Sequence, residues 1–372
     1  MRKCEDPGFM TTTVPHPEAK TTVRDRLLRL AETVTTPLLP EDYLDLVAPL
    51  RAGAALRGRI VAVEPETPDA ATLTIRPGRD WRGHTPGQYV RLGVDVDGVR
   101  QWRAYSLTSA PDRPDRLISV TVKAIPDGRV SNHLVRRTPV GTVVQLDQAL
   151  GDFVLPDPVP ARVLFLTAGS GITPVMGMLR AGVHTRADVV VLHSAPTPDD
   201  VVFGPQLRAL AGQGGIRLVE RHTDRHGLLG VDELATLVPD YLDRETWACG
   251  PVGMLDAVQE HWAAAGVADR LHTERFRPTV IAPGEGGTVT FTRTGLTLAA
   301  GGGTPILDAG EAAGALMPSG CRMGICYGCV LPLRQGAVRD LRTGELTTAV
   351  PGDGVLIQTC VSAAAGSCDI DL

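Results

Sequence analysis

Four cysteines constrain this chain more than any other feature. Cys321-Arg-Met-Gly-Ile-Cys326-Tyr-Gly-Cys329 places three thiols on one short loop, and Cys360 supplies a fourth from further along. Gaps of four residues and then two let a loop wrap three sulfurs around a cluster of two irons and two sulfides, while Gly324 and Gly328 permit backbone turns that aim amides inward. Zinc is the competing reading of a four-cysteine set, but zinc sites usually pair two knuckles of two cysteines, and here the division is three plus one. Such a cluster moves single electrons. The rest of the chain must therefore receive them from outside or take them from a metabolite.

A length of 372 residues exceeds one compact core and predicts two or three domains. The first twenty residues are polar and no run of eighteen apolar residues occurs, so neither a signal peptide nor a membrane span is expected. A cytoplasmic location follows, peripheral to the inner membrane at most through a partner. Cys4, Cys249 and Cys368 form an odd, scattered remainder, which argues against a disulfide framework. The formal net charge of −5 argues against nucleic-acid binding.

Residues 1–52 read as a disordered leader and a helical appendage, with Val23, Leu27, Leu30 and Val34 at helical spacing and a second short helix opened by Pro40. Packing as a cap is the expectation there. From 53 to 157 the pattern becomes short alternating segments parted by turn residues, the signature of a small antiparallel barrel. Within it Trp102-Arg103-Ala104-Tyr105-Ser106-Leu107-Thr108-Ser109 offers an arginine for a phosphate, an aromatic face for a flat ring and a hydroxyl for that ring's polar edge. That is what holding a flavin requires, although a buried strand can carry the same letters. Further on, Gly128, Val130 and Ser131 lie where a turn enters a helix, with Ser131 near the N-cap and free amides for a diphosphate.

After the stiff Pro156–Pro160 connector, residues 158–278 switch to continuous apolar runs, each paired with a helix, as a doubly wound α/β sheet demands. The first run leads into Gly169-Ser-Gly171-Ile-Thr173-Pro174, whose glycines let backbone approach a pyrophosphate. A later one ends in Cys249-Gly250-Pro251, alone an ordinary strand exit. No neighbouring cation marks Cys249 as a nucleophile. Arg221 and Arg225 follow the third strand, where a 2′-phosphate would lie, although a solvated charged loop reads equally well. Residues 279–286 are a Gly/Pro linker, and 287–372 carry a hairpin, a helix from Ile306 and the cysteine loop.

Together these segments resemble the ferredoxin-reductase superfamily, followed by a domain similar to plant-type [2Fe-2S] ferredoxins. The resemblance implies a multidomain chain: an antiparallel β-barrel for flavin, a doubly wound α/β domain for nucleotide and an α+β (β-grasp) ferredoxin domain. It implies that Arg103, Ala104, Tyr105 and Ser106 hold the flavin and that Gly128, Val130 and Ser131 hold its phosphates, favouring FAD over FMN. Gly169, Gly171, Thr173, Pro174, Gly250 and Pro251 would hold the nicotinamide nucleotide, with Arg221 and Arg225 selecting NADPH over NADH. Ser106, Cys249 and Glu274 would form the catalytic set, with Phe276 near the flavin edge. Cys321, Cys326, Cys329 and Cys360 would ligate the cluster.

The implied activity passes electrons from NAD(P)H through flavin and cluster to a partner protein. Reductases of membrane acyl-CoA desaturases are the preferred group, on Thr35-Thr-Pro-Leu-Leu-Pro-Glu-Asp-Tyr43 and the Trp102–Ser109 strand. Reductase components of oxygenases, as in phenylacetyl-CoA and phthalate systems, are the alternative. A reading of another class is a non-catalytic electron carrier or redox sensor with a degenerate nucleotide site, against which the Gly169–Pro174 loop and Cys249-Gly-Pro both speak.

Overall fold

Strands dominate the architecture, arranged in three separate sheets. The computed structural model describes residues 47–126, 128–276, 283–324 and 327–372. The expected leader and nearly all of the helical appendage, as well as Cys326, lie outside the described residues. Residues Leu50–Leu372 form one unit.

The first sheet is antiparallel and built from β1 (Arg57–Thr67), β2 (Ala70–Pro77), β3 (Tyr89–Val96), β4 (Val99–Ser106), β5 (Ile118–Lys123) and β6 (Val143–Leu146) in the order β4-β3-β6-β1-β2-β5. Alternation drives it: Ile60, Leu73, Ile75, Val90, Leu92, Val120 and Val144 point to one shared core, and all are at most 1 % exposed. Asp97 and Gly98, both at positive φ, make the two-residue turn between β3 and β4 that suits a right-twisted hairpin. Leu107, just past β4, bridges Val120 of β5, and Thr108 N–H donates to the Ser119 carbonyl at 2.8 Å. The sheet's two edges therefore meet at one end, and β4 lies along the opening. The helix α1 (Arg129–Arg136) plugs the same core with Val130 and Leu134.

The second sheet is wholly parallel. It comprises β7 (Arg162–Ala168), β8 (Asp188–Ala195), β9 (Arg217–His222), β10 (Glu245–Cys249) and β11 (Leu271–Glu274), ordered β11-β10-β7-β8-β9. Because side chains alternate, the apolar run in β7 serves both faces: Val163 and Phe165 join one core, Leu164 and Leu166 the other. The helix α2 (Ile172–Arg180) covers the first face with Ile172, Val175, Met176 and Leu179; on the second, the later helix Val252–Ala264 contributes Leu255, Val258 and Trp262. This is the doubly wound arrangement that unbroken apolar strands require.

The third sheet is mixed, from β12 (Gly287–Phe291), β13 (Leu296–Ala300), β14 (Val330–Asp340), β15 (Leu346–Ala349), β16 (Val355–Gln358) and β17 (Ser362–Ile370). Only β12 and β17 pair in parallel. The helix Ile306–Ala312 packs Ile306 and Leu307 into its core, which also takes in Cys329, Cys360 and Cys368. Cys368 sits inside β17, buried and free of disulfides. No helix among the described residues is long and apolar enough to cross a membrane.

Candidate functional site

The three sheets converge on a cleft of about 1070 Å³. Strand β4 forms one wall with Arg103, Ala104, Tyr105 and Ser106; the turn into α1 adds Gly128, Val130 and Ser131; the start of α2 adds Ser170 and Thr173; Glu274 and Phe276 close the nucleotide-domain side. The facing wall is the C-terminal domain, through Asp308, Glu311, Cys321, Arg322 and Cys360. Residues far apart in the chain thus share one space.

The polar groups here are poised for a ligand. Ser106 is 4 % exposed, and its Oγ has no hydrogen-bond partner among the described residues. A buried hydroxyl without a partner is costly, which is the expected state of a group that a bound molecule completes. Arg103 donates to the Trp102 carbonyl at 2.8 Å, and among the described residues no carboxylate pairs with it. Burial and then the Arg322 charge lower its pKa to about 10, which still leaves Arg103 cationic at neutral pH and suited to a phosphate, whereas Arg322 across the cleft is neutralised by Asp308 and Glu311. Burial likewise pushes the Tyr105 phenol up. Gly128 is the N-cap of α1, and Ser131 lies in its first turn, donating to the Gly128 carbonyl at 3.2 Å instead of capping the helix. These groups fit a flavin with phosphates.

Glu274 ends β11 directly opposite Cys249 of β10. Its Oε2 is buried and without a hydrogen-bond partner among the described residues, and burial raises its pKa to about 8. Cys249 is fully buried behind it, outside the cleft lining, and burial raises its thiol well above the ordinary value, an effect the Glu274 carboxylate adds to once it ionises. The carboxyl is therefore protonated at neutral pH, a donor as well as an acceptor. Its raised pKa has a thermodynamic consequence. The folded state holds this proton where the unfolded chain releases it, so stability should fall as pH rises from about 4.5 to about 8 and then level off. Because the cleft is open, the loss should be on the order of 2–3 kcal/mol, below what the full interval implies. Glu274→Gln should flatten that slope in denaturant titrations at a series of pH values; an unchanged slope would show the carboxyl to be ionised.

The two glycine motifs of the nucleotide domain touch. A Cβ on Gly171 would lie 2.0 Å from the Cys249 carbonyl oxygen and 3.0 Å from Gly250 N. Gly169 turns through φ +53, and Thr173 Oγ1 donates to the Ser170 carbonyl at 2.9 Å, ordering the entry to α2. Pro174 falls in the first turn of α2, and Pro251 precedes the helix Val252–Ala264 as its N-cap. Arg221 and Arg225 stand elsewhere. Arg221 closes β9, only 7 % exposed, with its guanidinium on Glu233; Arg225 is exposed on the short helix Thr223–His226. Glu220 next to Arg221 is held by Arg208 at 2.8 and 2.9 Å.

Cys321 and Cys360 on the facing wall, and Cys329 in the core of the same domain, are buried free thiols. A hydrogen bond with Cys329 and then burial raise the Cys360 thiol, and the Cys321 charge acts in the same direction. Met323 N–H donates to Cys321 Sγ at 3.3 Å, while Thr359 N–H and Oγ1 both donate to the Cys329 carbonyl, at 3.2 and 2.9 Å. Among the described residues no three His, Cys, Asp or Glu side chains are gathered closely enough to hold a metal ion, and Cys326 lies outside them. The donor chemistry of three buried thiols in one core, one of them accepting from a backbone amide, nonetheless fits an iron–sulfur group. Arg322, at φ +60 beside Cys321, donates to Asp308 at 2.7 Å and to Glu311 at 2.5 Å. No motif drew attention to it, to Asp308 or to Glu311; the only signal was an arginine placed next to Cys321.

Comparison with known proteins accords with this geometry. Residues 60–155 match the oxidoreductase FAD-binding domain family and residues 165–260 the oxidoreductase NAD-binding domain family. An NADPH oxidoreductase of Mycobacterium tuberculosis is 52 % identical over 353 residues, which cover 93 % of this chain and 92 % of that one. The chain belongs to the ferredoxin-reductase family of flavin oxidoreductases. A glycine betaine monooxygenase reductase subunit of Pseudomonas aeruginosa is 31 % identical over 307 residues, 74 % of this oxidoreductase and 84 % of the relative. In fold, the oxidoreductase is similar to phthalate dioxygenase reductase, with a TM-score of 0.59 at 21 % identity, covering 85 % of this chain and 97 % of the other. The oxidoreductase thus carries FAD-binding and NAD-binding domains, and the cleft lies where they meet.

Proposed function

We propose that this oxidoreductase moves electrons from NADPH through FAD to a [2Fe-2S] cluster held by Cys321, Cys326, Cys329 and Cys360, and from there to a partner protein. The observation that carries the reading is the cleft itself: β4 and the Cys321 and Cys360 loops face one another across it. When bound, FAD accepts two electrons as hydride and yields them singly, while the cluster accepts one at a time. Arg103, with Gly128, Val130 and Ser131 at the α1 terminus, binds the phosphates; Tyr105 covers the ring; Ser106 Oγ supplies a hydrogen bond to its edge. Gly169, Gly171, Thr173, Pro174, Gly250 and Pro251 shape the nucleotide seat. Glu274, protonated at neutral pH, holds a proton within the site, and Cys249 packs behind it as a neutral thiol.

NADPH is preferred because of the basic end of β9, with Arg221 exchanging Glu233 for a 2′-phosphate and Arg225 adding charge from the adjoining turn. The 52 % relative named an NADPH oxidoreductase supports this choice. The terminal acceptor is an oxygen-activating metalloenzyme. A membrane acyl-CoA desaturase is the first reading, on the Thr35–Tyr43 and Trp102–Ser109 segments. An oxygenase is the second, favoured by relatives named as monooxygenase reductase subunits.

Anaerobic titration of the purified protein with NADPH and then NADH, read by visible absorbance and low-temperature electron paramagnetic resonance, tests the chain of steps. Bleaching of the flavin by NADPH together with a rhombic signal is the expected result. A flavin left oxidised by both nucleotides would leave only a carrier role. Bleaching without the signal would remove the cluster assignment.

A further inference from the structure

The cysteine loop is braced by two side chains that belong to no motif above. Arg342 Nη1 donates to the Gly324 carbonyl at 2.9 Å, and Gln358 Nε2 donates to the same oxygen at 3.0 Å. Arg342 Nη2 also reaches Gln358 Oε1 at 3.2 Å, closing the triangle. Asp340 fixes the arginine from behind: its Oδ2 accepts from Nη2 at 2.7 Å, and its Oδ1 accepts from the Arg342 backbone N–H at 2.8 Å. Both partners of this ion pair are largely shielded, with side-chain exposures of 32 and 22 %.

Gly324 is where this clamp meets the thiols. It turns through φ +71, and a Cβ there would stand 2.2 Å from Arg342 Nη1, so the missing side chain makes room for the guanidinium. Gln358 stands two residues before Cys360, the Val361 side chain lies 3.0 Å from the same Cβ position, and Arg342 is within electrostatic reach of Cys360, so the clamp ties the cysteine loop to the segment that carries the fourth thiol. Gly324 thus has its carbonyl clamped to the segment that leads into Cys360.

We propose that Arg342 and Gln358 are positioning residues for the [2Fe-2S] cluster: they fix the Gly324 turn, and with it the amides of the cysteine loop, against the segment that carries Cys360, and Arg342 adds a permanent positive charge beside it. Donors and positive charge near the sulfurs stabilise the reduced cluster, which carries one more negative charge than the oxidised one, so both effects raise the reduction potential. Lysine keeps the charge but cannot bond Gly324, Gln358 and Asp340 together, because it lacks the planar fork. The inference rests on the cluster assignment proposed above.

The test uses the full chain as purified, with iron and sulfide assayed, the cluster midpoint measured by spectroelectrochemical titration and the reduced spectrum recorded by electron paramagnetic resonance. Relative to the native protein, Arg342→Lys should shift the midpoint to more negative values and Arg342→Met should shift it further, both with altered g-values. Gln358→Leu should shift it in the same direction by less. Flavin content reports that the rest of the fold is intact. A native midpoint and spectrum in Arg342→Met would overturn the proposal. Should that variant lose its iron, native values in both Arg342→Lys and Gln358→Leu would overturn it equally. Lower thermal stability with unmoved potentials would show a role in folding alone, against the proposal. Absence of iron and sulfide from the native protein would instead sink the cluster assignment, and the inference with it.

Discussion

Gly171→Ala is expected to lower kcat/KM for NADPH by about 100-fold, the scale on which a displacement of ~1 Å at a reacting site is felt. The added methyl would stand 2.0 Å from the Cys249 carbonyl oxygen and 2.5 Å from its carbon. Neither neighbour yields easily, because β10 is hydrogen-bonded on one side to β7 and on the other to β11. Gly171 itself has φ −62, which alanine adopts freely, so the effect is steric and not conformational. The 169–171 turn must move, and with it the backbone that faces the nucleotide. Overpacking of this kind also costs about 1–3 kcal/mol of stability. Gly169→Ala is the informative comparison. There the space is open and only the positive φ of +53 is violated, so about 1–2 kcal/mol of strain is expected without a clash. A Gly171→Ala protein with native kcat/KM, at native flavin content, would show that the two motifs are not mechanically joined.

That contact also marks the boundary of what the chain discloses as a string of letters. Periodicity revealed the sheets: the alternation in Ile60, Leu73 and Val90 predicts a one-sided core, and the unbroken run from Val163 to Leu166 predicts a strand covered on both faces. Each pattern is local, set by neighbours one to four residues apart. Arg103, Tyr105 and Ser106 were legible for a similar reason, since a single edge strand presents all three to the cleft. Contacts between distant segments left no such trace. Nothing in the letters says that Gly171 touches Cys249, that Arg322 shares a cavity with Arg103, or that Arg342 and Gln358 meet at Gly324.

Arg221 shows the other limit. Its place at the end of β9 followed from strand counting, but its occupation by Glu233, a residue twelve positions on, depends on how the Gly230–Glu233 turn folds back. Charge clusters read from sequence count cations without their counter-ions. On the NADPH reading proposed above, a 2′-phosphate would have to compete for this arginine, and part of its binding energy would go to displacing a carboxylate.

Cys360→Ser is expected to remove iron and sulfide and, with them, electron delivery to a protein acceptor. The fall should be at least about 100-fold, the upper end of what loss of a ligand's outer partner alone causes. Serine is a poor substitute, since its oxygen lacks the soft thiolate character that iron–sulfur clusters select. Reduction of ferricyanide by NADPH should persist, because that small acceptor can be served at the flavin and the substitution leaves β4, α1 and α2 untouched. Cys368→Ser provides the control. Cys368 is also a buried free thiol, 2 % exposed, but it lies within β17, and burial and then the Asp369 charge raise its pKa to about 11. Its replacement should cost about 1–3 kcal/mol of stability for placing a hydroxyl in an apolar core and should leave the iron in place. Two cysteines eight positions apart, equally buried and equally reduced, would then differ in every redox readout. Full iron in Cys360→Ser would refute the ligand set, and zinc without sulfide in the native protein would replace the electron-transfer reading of this loop with a structural one.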